Sequence, residues 1–358
     1  MEQTFTVKLE EKRYLPPDPP RCKATAWTPD YTRAYQEFMR DPEAFWDRIA
    51  RELSWFESWD RVREWNPPYA RWFVNAKLNI TANCLDRHAA GSRKDKPAIV
   101  WRGEDGGAER VITYDGLHHE VMRFANGLKS LGVGKATGSA STCRSSPPSR
   151  SSRCSPAPGS VPSTRWSSAD SGPTRSRCGS TTRRQRSSSS RTSVTVGGKT
   201  VPLRELASEA LAHTPSVERV VVLRRETPPA VELDPPGTEV DYADLVARAA
   251  PDCPAEVMDS EDPLFILYTS GSTGAPKGGI VHTCGGYMVG TYYTARHDFD
   301  IKETDILWCT ADPPGWITGH SYIVYGPLAV GTTVVIAEGT PDYPDPGAYW
   351  RLVQDLGG

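Results

Sequence analysis

The stretch Pro263-Leu-Phe-Ile-Leu-Tyr268 is short, apolar and rich in β-forming residues, and it runs straight into Thr269-Ser-Gly-Ser-Thr-Gly-Ala-Pro-Lys-Gly278. The first part reads as a buried strand. Past the glycines, Val281, Gly285, Met288, Val289 and Tyr292 recur at helical spacing. Strand, glycine-rich loop and helix in that order commit the chain to α/β layers. The same order points backbone N–H groups at an anion. Gly271 and Gly274 let the backbone come close to a ligand. Thr269, Ser270, Ser272 and Thr273 add hydroxyl donors, and Lys277 adds a positive charge suited to a terminal phosphate. The spacing is not that of a Walker A loop, which needs Ser or Thr directly after its Gly-Lys. A flexible surface loop is the bland alternative.

The flanking sequence agrees with α/β. Residues 97–103 and 110–114 read as strands, followed by a helix with Leu117, Val121, Phe124, Leu128 and Leu131 on one stripe. Residues 203–213 read as a helix and Val220–Leu223 as a buried strand. Ile306–Cys309 and Thr332–Ala337 are further strands. A last helix is predicted to start at Asp345-Pro346, an N-cap followed by a first-turn proline, with Tyr349, Leu352, Val353 and Leu356 as its stripe. In a β/α alternation a strand should follow, so the chain is expected to stop within a domain.

One segment departs from this pattern. Residues 136–193 hold 20 Ser and 10 Arg, no Lys, and Asp170 as their one acidic residue. They carry +9 while the remainder carries -11, against a net charge of -2 for all 358 residues. The composition predicts disorder. Arg/Ser tracts bind RNA and respond to phosphorylation, but this one has no regular repeat and is laced with Pro, Cys, Gly and Trp166. A shifted reading frame fits better. If each codon of Pro158–Ser171 is read one base earlier, permitted third bases give Arg-Ile-Gly-Thr-Val-His-Ser-Val-Val-Phe-Gly-Gly-Phe. Ala136–Arg144 likewise hides Gly-Asp-Arg-Val-Gly-Val-Tyr-Met-Pro.

The net charge of -2 taken alone makes no case for a nucleic-acid or membrane partner, and no apolar run reaches the length of a membrane span. Met1–Tyr14 lacks the apolar stretch of a signal peptide. The eight cysteines form no C-x-x-C pair, so neither zinc nor a redox dithiol is indicated and no metal ligands are assigned. A cytoplasmic protein is the expectation.

The full string Tyr268–Gly278 resembles the phosphate loop of the acyl-adenylate-forming enzymes. Residues 72–88 (WFVNAKLNITANCLDRH), SVERVVVLRR, EDPLFILYTSGSTG, GWITGHSYIVYGPL and PDYPDPGAYW resemble acetyl-CoA synthetases, as do the two hidden runs. The resemblance covers nearly everything outside 136–193 and about the first half of the family's length. It implies an N-terminal segment over 1–90 and an incomplete AMP-binding (adenylation) domain over 91–358, a partial large domain of mixed sheets flanked by helices. It implies acetate, Mg²⁺-ATP and coenzyme A as substrates, with acetyl-AMP as the intermediate. Residue by residue, it places Thr269, Ser270, Gly271, Ser272, Thr273, Gly274 and Lys277 on the ATP phosphates. Trp316, Ile317 and Thr318 fall in the acetate pocket, and Gly197, Gly198, Lys199 and Thr318 on coenzyme A.

His282, Cys284 and His320 are passed over as catalysts, because in adenylation the carboxylate itself attacks. Asp259-Ser-Glu-Asp262 reads as a solvated lead-in to a strand. Two departures stand out: Lys277-Gly-Gly279 and Asp312-Pro-Pro-Gly315 are each one residue longer than the family's form. The family's remaining contacts, including its catalytic lysine, lie beyond Gly358, so the chain alone is expected to be inactive. A propionate or other short-chain acyl ligase is the near alternative. A non-catalytic nucleotide- or RNA-binding protein with a basic arm is the distant one.

Overall fold

The computed structural model describes residues 31–104, 109–134, 138–142, 164–167, 185–191, 194–196, 199–201, 208, 211–212, 217–223, 238–267, 280–309 and 317–356, with backbone alone from 138 to 201. Two helices come first, α1 (Tyr31–Arg40) and α2 (Pro42–Ala50). The Asp41 carboxylate caps α2 by accepting from the Ala44 N–H at 3.0 Å, with Pro42 in the first turn. Strands β1 (Arg61–Asn66) and β2 (Tyr69–Val74) form a hairpin, and β3 (Lys77–Leu78) follows. A π-helical turn, Ala82–Asp86, leads into the short α3 (Arg87–Ala89).

Then come β4 (Pro97–Arg102), β5 (Glu109–Thr113) and the long α4 (Tyr114–Ser130). Thr113 caps α4, its hydroxyl accepting from the Gly116 N–H at 3.1 Å. The predicted stripe holds: Leu117, Val121, Phe124 and Leu128 are buried. They serve two cores. Tyr114, Leu117 and Val121 join the main cluster with α2, β4, Phe265, Met288 and Val334, while Phe124 and Leu128 pack with Val221, Tyr242 and Leu245.

The next strands are β6 (Gly138–Thr142), β7 (Thr164–Ser167), β8 (Gln185–Arg191), β9 (Val194–Val196), β10 (Lys199–Val201), β11 (Arg219–Leu223) and β12 (Glu239–Asp241). Helix α5 (Tyr242–Arg248), β13 (Met258–Asp259), β14 (Pro263–Leu267), β15 (Ile280–Thr283) and α6 (Cys284–Tyr293) follow. A π-helical turn at Thr294–Asp298 precedes β16 (Ile306–Cys309). A second π-helical stretch, Gly319–Tyr325, runs into α7 (Gly326–Val330), β17 (Thr333–Ala337) and α8 (Ala348–Asp355).

Two sheets organise these elements. The larger has the order β12-β11-β8-β6-β7-β14-β15, parallel except for the antiparallel β14–β15 pair at one edge. The smaller has the order β16-β17-β4-β5, with β4–β5 antiparallel. This is the mixed α/β architecture expected.

Four expectations need correction. Within 136–193, where composition predicts disorder, the described residues are β6, β7 and β8, which pair as inner strands of the larger sheet; the rest of the segment lies outside the described residues. The ladder is made by backbone groups, which every non-proline residue carries whatever its side chain. Val281 was placed on a helix but lies in β15, paired with Ile266. β-Branched Ile280 and Val281 favour extended backbone where a partner strand is at hand. The last helix begins at Ala348 rather than at Asp345-Pro346. Asp345 instead accepts from the Gly347 N–H at 2.8 Å and pairs with Arg351 at 2.6 Å, closing the turn before the helix. The 259–262 cluster is only partly solvated: Asp259, Glu261 and Asp262 are half-buried, Ser260 is fully buried and Asp259 bonds Lys77 at 2.6 Å. The predicted helix at 203–213 lies largely outside the described residues.

Candidate active site

β14 and β15 are the two stems of the glycine-rich segment. Leu267 pairs with Ile280, Ile266 with Val281 and Phe265 with His282, so residues 268–279 close a hairpin between antiparallel strands. Helix α6 starts only after β15, at Cys284. The expected strand–loop–helix order therefore has a second strand, β15, between the glycine-rich segment and the helix. Thr269, Ser270, Gly271, Ser272, Thr273, Gly274 and Lys277 lie outside the described residues, as do Gly197, Gly198 and Trp316. Lys199 opens β10, where it pairs with Val196.

Ile317 and Thr318 immediately precede the π-helical stretch Gly319–Tyr325. Ile317 is half-buried against the main core and Thr318 is exposed. This segment packs on the strand that feeds the loop. The His320 ring lies 4.9 Å from that of Phe265, and the His282 ring 4.8 Å from it. Tyr287, on α6, meets the Phe265 ring edge-on at 5.0 Å, and its hydroxyl hydrogen-bonds the Ser321 hydroxyl at 2.9 Å. One aromatic cluster thus joins the loop's strands, the helix beyond them and the acyl-motif segment. Sequence reasoning did not single out Phe265, Tyr287 or Ser321. Their signal is apolar or neutral and resembles any core residue.

The electrostatics suit packing more than acid–base work at this cluster. Burial pushes the His282 imidazole below its ordinary value, favouring the neutral ring. Burial likewise raises the Tyr287 phenol. Cys284 is fully buried at the start of α6. Cys284 and His320 are buried in the core, and His282 is half-buried beside them. Among the described residues no three His, Cys, Asp or Glu side chains converge as metal ligands. No described helix is long and apolar enough to cross a membrane.

A cavity of about 230 Å³ lies elsewhere, at the C-terminal ends of β4 and β17, lined by residues that include Arg102, Glu104, Glu338, Tyr349 and Arg351. It contains none of the expected site residues.

Comparison with known proteins places the chain. The family model described as AMP-binding enzyme matches residues 173–357, and that described as acetyl-coenzyme A synthetase N-terminus matches 31–84. The acetyl-coenzyme A synthetase of Rubrobacter xylanophilus is 43% identical over 98% of this chain and 53% of its own length. That of Syntrophus aciditrophicus is 42% identical over 95% of this chain and 53% of its own length. The solved acetoacetyl-CoA synthetase from Streptomyces lividans superposes with a TM-score of 0.79 at 24% identity, covering 93% of this chain and 51% of that one, a likeness of fold. The chain spans about half the length of the relatives it matches. It belongs to the AMP-binding enzyme family, headed by an acetyl-coenzyme A synthetase N-terminal segment.

Proposed function

We propose that the chain supplies the phosphate-binding and acyl-binding part of an AMP-forming acetate–CoA ligase. One observation carries the reading: the Tyr268–Gly278 string is closed between β14 and β15, and the segment bearing Ile317 and Thr318 packs on that same β14 through Phe265 and His320. In this reading the phosphate and acyl motifs share one foundation. The relatives' names, acetyl-coenzyme A synthetase, supply the substrate class.

In this reading an acetate oxygen attacks the α-phosphorus of ATP, the bond to the β,γ-diphosphate breaks, and pyrophosphate leaves with the electron pair. The thiol of coenzyme A then attacks the acyl carbon, releases AMP and loses its proton. No side-chain nucleophile is needed. Thr269–Gly274 and Lys277 hold the β- and γ-phosphates and offset the charge that develops on the leaving group. Trp316 and Ile317 enclose the acetate methyl, and Thr318 lies where the thiol arrives. Gly197, Gly198 and Lys199 meet a phosphate of coenzyme A. Mg²⁺ would arrive with the nucleotide and would neutralise charge on its phosphate oxygens. The cytoplasm, which holds ATP and coenzyme A, is the proposed location.

Two measurements test this. Calorimetric titration of the chain should show Mg²⁺-ATP binding. Joining the chain to the remaining half of the Rubrobacter relative should give acetate-dependent exchange of pyrophosphate into ATP. A chain that binds no nucleotide, or a joined enzyme that exchanges pyrophosphate without regard to acetate, defeats the reading.

A further inference from the structure

Three segments far apart in sequence meet at residues 259–262. From below, β13 pairs with β3, Met258 opposite Leu78 and Asp259 opposite Lys77. The Ser260 N–H donates to the Ala76 carbonyl at 2.9 Å, and its hydroxyl to the Trp72 carbonyl at 2.8 Å. The Trp72 N–H donates to the Glu261 carboxylate at 2.7 Å. Both polar groups of the Trp72 backbone are thereby held by two successive residues of another segment. From above, the Cys284 N–H donates to the Asp262 carbonyl at 3.0 Å and the Gly285 N–H to the Ser260 carbonyl at 2.8 Å. These are the first two residues of α6. A Cβ on Gly285 would lie 1.9 Å from the Ser260 hydroxyl oxygen, so only glycine admits this approach.

The turn is also braced from within. The Asp259 N–H donates to Asp262 at 2.8 Å, and the Glu261 N–H to Asp259 at 2.9 Å. Burial alone would raise the Asp259 carboxyl, but the Lys77 ammonium and the Glu261 N–H together hold it below the usual carboxylate value. β14 begins at the next residue, Pro263, and runs to the start of the glycine-rich segment. One tetrapeptide therefore fixes the strand that enters that segment and the helix that follows its second stem, and locks both to the β2 strand of the N-terminal part.

We propose that Glu261 is a positioning residue for nucleotide binding: by capturing the Trp72 N–H it ties the N-terminal part of the chain to both stems of the phosphate-binding hairpin. Its bearing on ATP rests on the function proposed above. The carboxylate touches no substrate and acts through Ser260, β14 and β15. A bond from an N–H to a carboxylate is of the stronger, charge-assisted kind, and losing it leaves a part-buried N–H without its acceptor.

The test uses the whole chain, with two readouts: amide hydrogen exchange in 263–267 and 280–283, and the Mg²⁺-ATP dissociation constant by calorimetry. Glu261→Ala should speed exchange in both strands and weaken Mg²⁺-ATP by up to roughly tenfold, since the worth of the lost bond bounds what can be coupled to binding. Glu261→Gln, which keeps an acceptor oxygen, should restore most of both. Ser260→Ala should give the same pattern at smaller amplitude, and serves if the first variant does not fold. Asn126→Ala removes two bonds remote from the hairpin, to the Ala250 and Asp252 carbonyls. It should lower the melting midpoint and leave both readouts in place. Faster exchange confined to 259–262 and Trp72, or a loss that Gln does not restore, overturns the proposal. If the unmutated chain binds no Mg²⁺-ATP, the nucleotide reading fails, while the exchange pattern still decides whether Glu261 holds the hairpin.

Discussion

The rings of Phe265 and His320 meet tilted by 38°, with centroids 4.9 Å apart, across a sequence separation that spans the glycine-rich segment and residues 315–319. Phe265 is fully buried and its ring also meets His282 and Tyr287. The contact brings together two segments remote in sequence, the strand β14 and the stretch that follows Thr318.

Phe265→Ala should cost about 3–5 kcal/mol of folding free energy, the range for deleting a buried phenylalanine. Denaturant titration followed by tryptophan fluorescence measures it. A loss below about 1 kcal/mol would show that the cluster around Phe265 collapses or is loosely packed.

Lys277→Ala, in the enzyme completed with the relative's second half, should slow adenylation by roughly 1.5–3 kcal/mol, the worth of a hydrogen bond to a charged group. Acetate-dependent pyrophosphate exchange reports it. Unchanged exchange would remove Lys277 from the phosphates.

Ile317 is half-buried beside this cluster, consistent with a pocket wall. Ile317→Gly should relax the preference for acetate over propionate, since a methylene in an apolar pocket discriminates by about 1–3 kcal/mol. The ratio of kcat/KM for the two acids is the measurement. A ratio that does not move would make Ile317 core packing alone.

His88 gives a pH prediction. It is 2% exposed, packs its ring on Tyr114 at 4.9 Å, and has Arg93 at 3.3 Å from Nδ1. Burial first, then the Arg87 and Arg93 charges, push it down to about 4. Arg87 is held by the Ala329 carbonyl and Arg93 by Glu303, so neither moves away. The unfolded chain takes up this proton near the ordinary histidine value of about 6.5 and the folded chain does not. Stability is therefore fully present above about pH 6.5 and declines as pH falls toward 4, by roughly 3 kcal/mol in all. Urea midpoints across that interval should fall on acidification, and His88→Gln should flatten the slope. Equal slopes in both proteins would place the titration elsewhere.

Much of the fold was legible in the sequence because it is local. β16 and the stripe of α4 follow from runs of apolar residues at the period of their element. What was missed is non-local. Val281 fits a helical spacing, and only its partner Ile266 across the hairpin makes it a strand. Asp259–Asp262 looks like a solvated acidic turn until Lys77 and Trp72, nearly two hundred residues away in the chain, come to meet it. For the site, the motifs were readable as strings. The aromatic cluster that joins them was not, because Phe265 and Tyr287 carry no chemistry that marks them.

The last prediction concerns the Ser/Arg-rich segment. β6, β7 and β8 are inner, parallel strands of the larger sheet. Such strands ordinarily read as near-continuous apolar runs, because both faces are covered. β8 instead sets Ser188, Ser189 and Ser190 opposite Val220, Val221 and Val222. The shifted frame resolves the conflict. A serine codon of the TCN type, read one base earlier, becomes NTC, which encodes only Phe, Leu, Ile or Val. If all four codons of Ser187–Ser190 are of that type, the other frame holds four apolar residues along β8, three of them at the register positions opposite Val220–Val222. β6 and β7 fall within the two runs already decoded, at Val-Gly-Val and Ser-Val-Val. On the shifted-frame reading, valines fall within β6 and β7 and apolar residues along β8. Restoring one base near Lys135 and removing one between about Thr192 and Gly198 should yield a markedly more stable protein. Burying four such side chains contributes about 1.5–3 kcal/mol each, against a total domain stability of about 5–15 kcal/mol. Transcript sequencing and peptide mass spectrometry of the protein from its native source should show the apolar version of 185–191. Recovery of a native peptide containing the four serines, or a corrected chain that melts no higher, would refute the shifted frame and leave a polar strand at the centre of the sheet as a property of this protein.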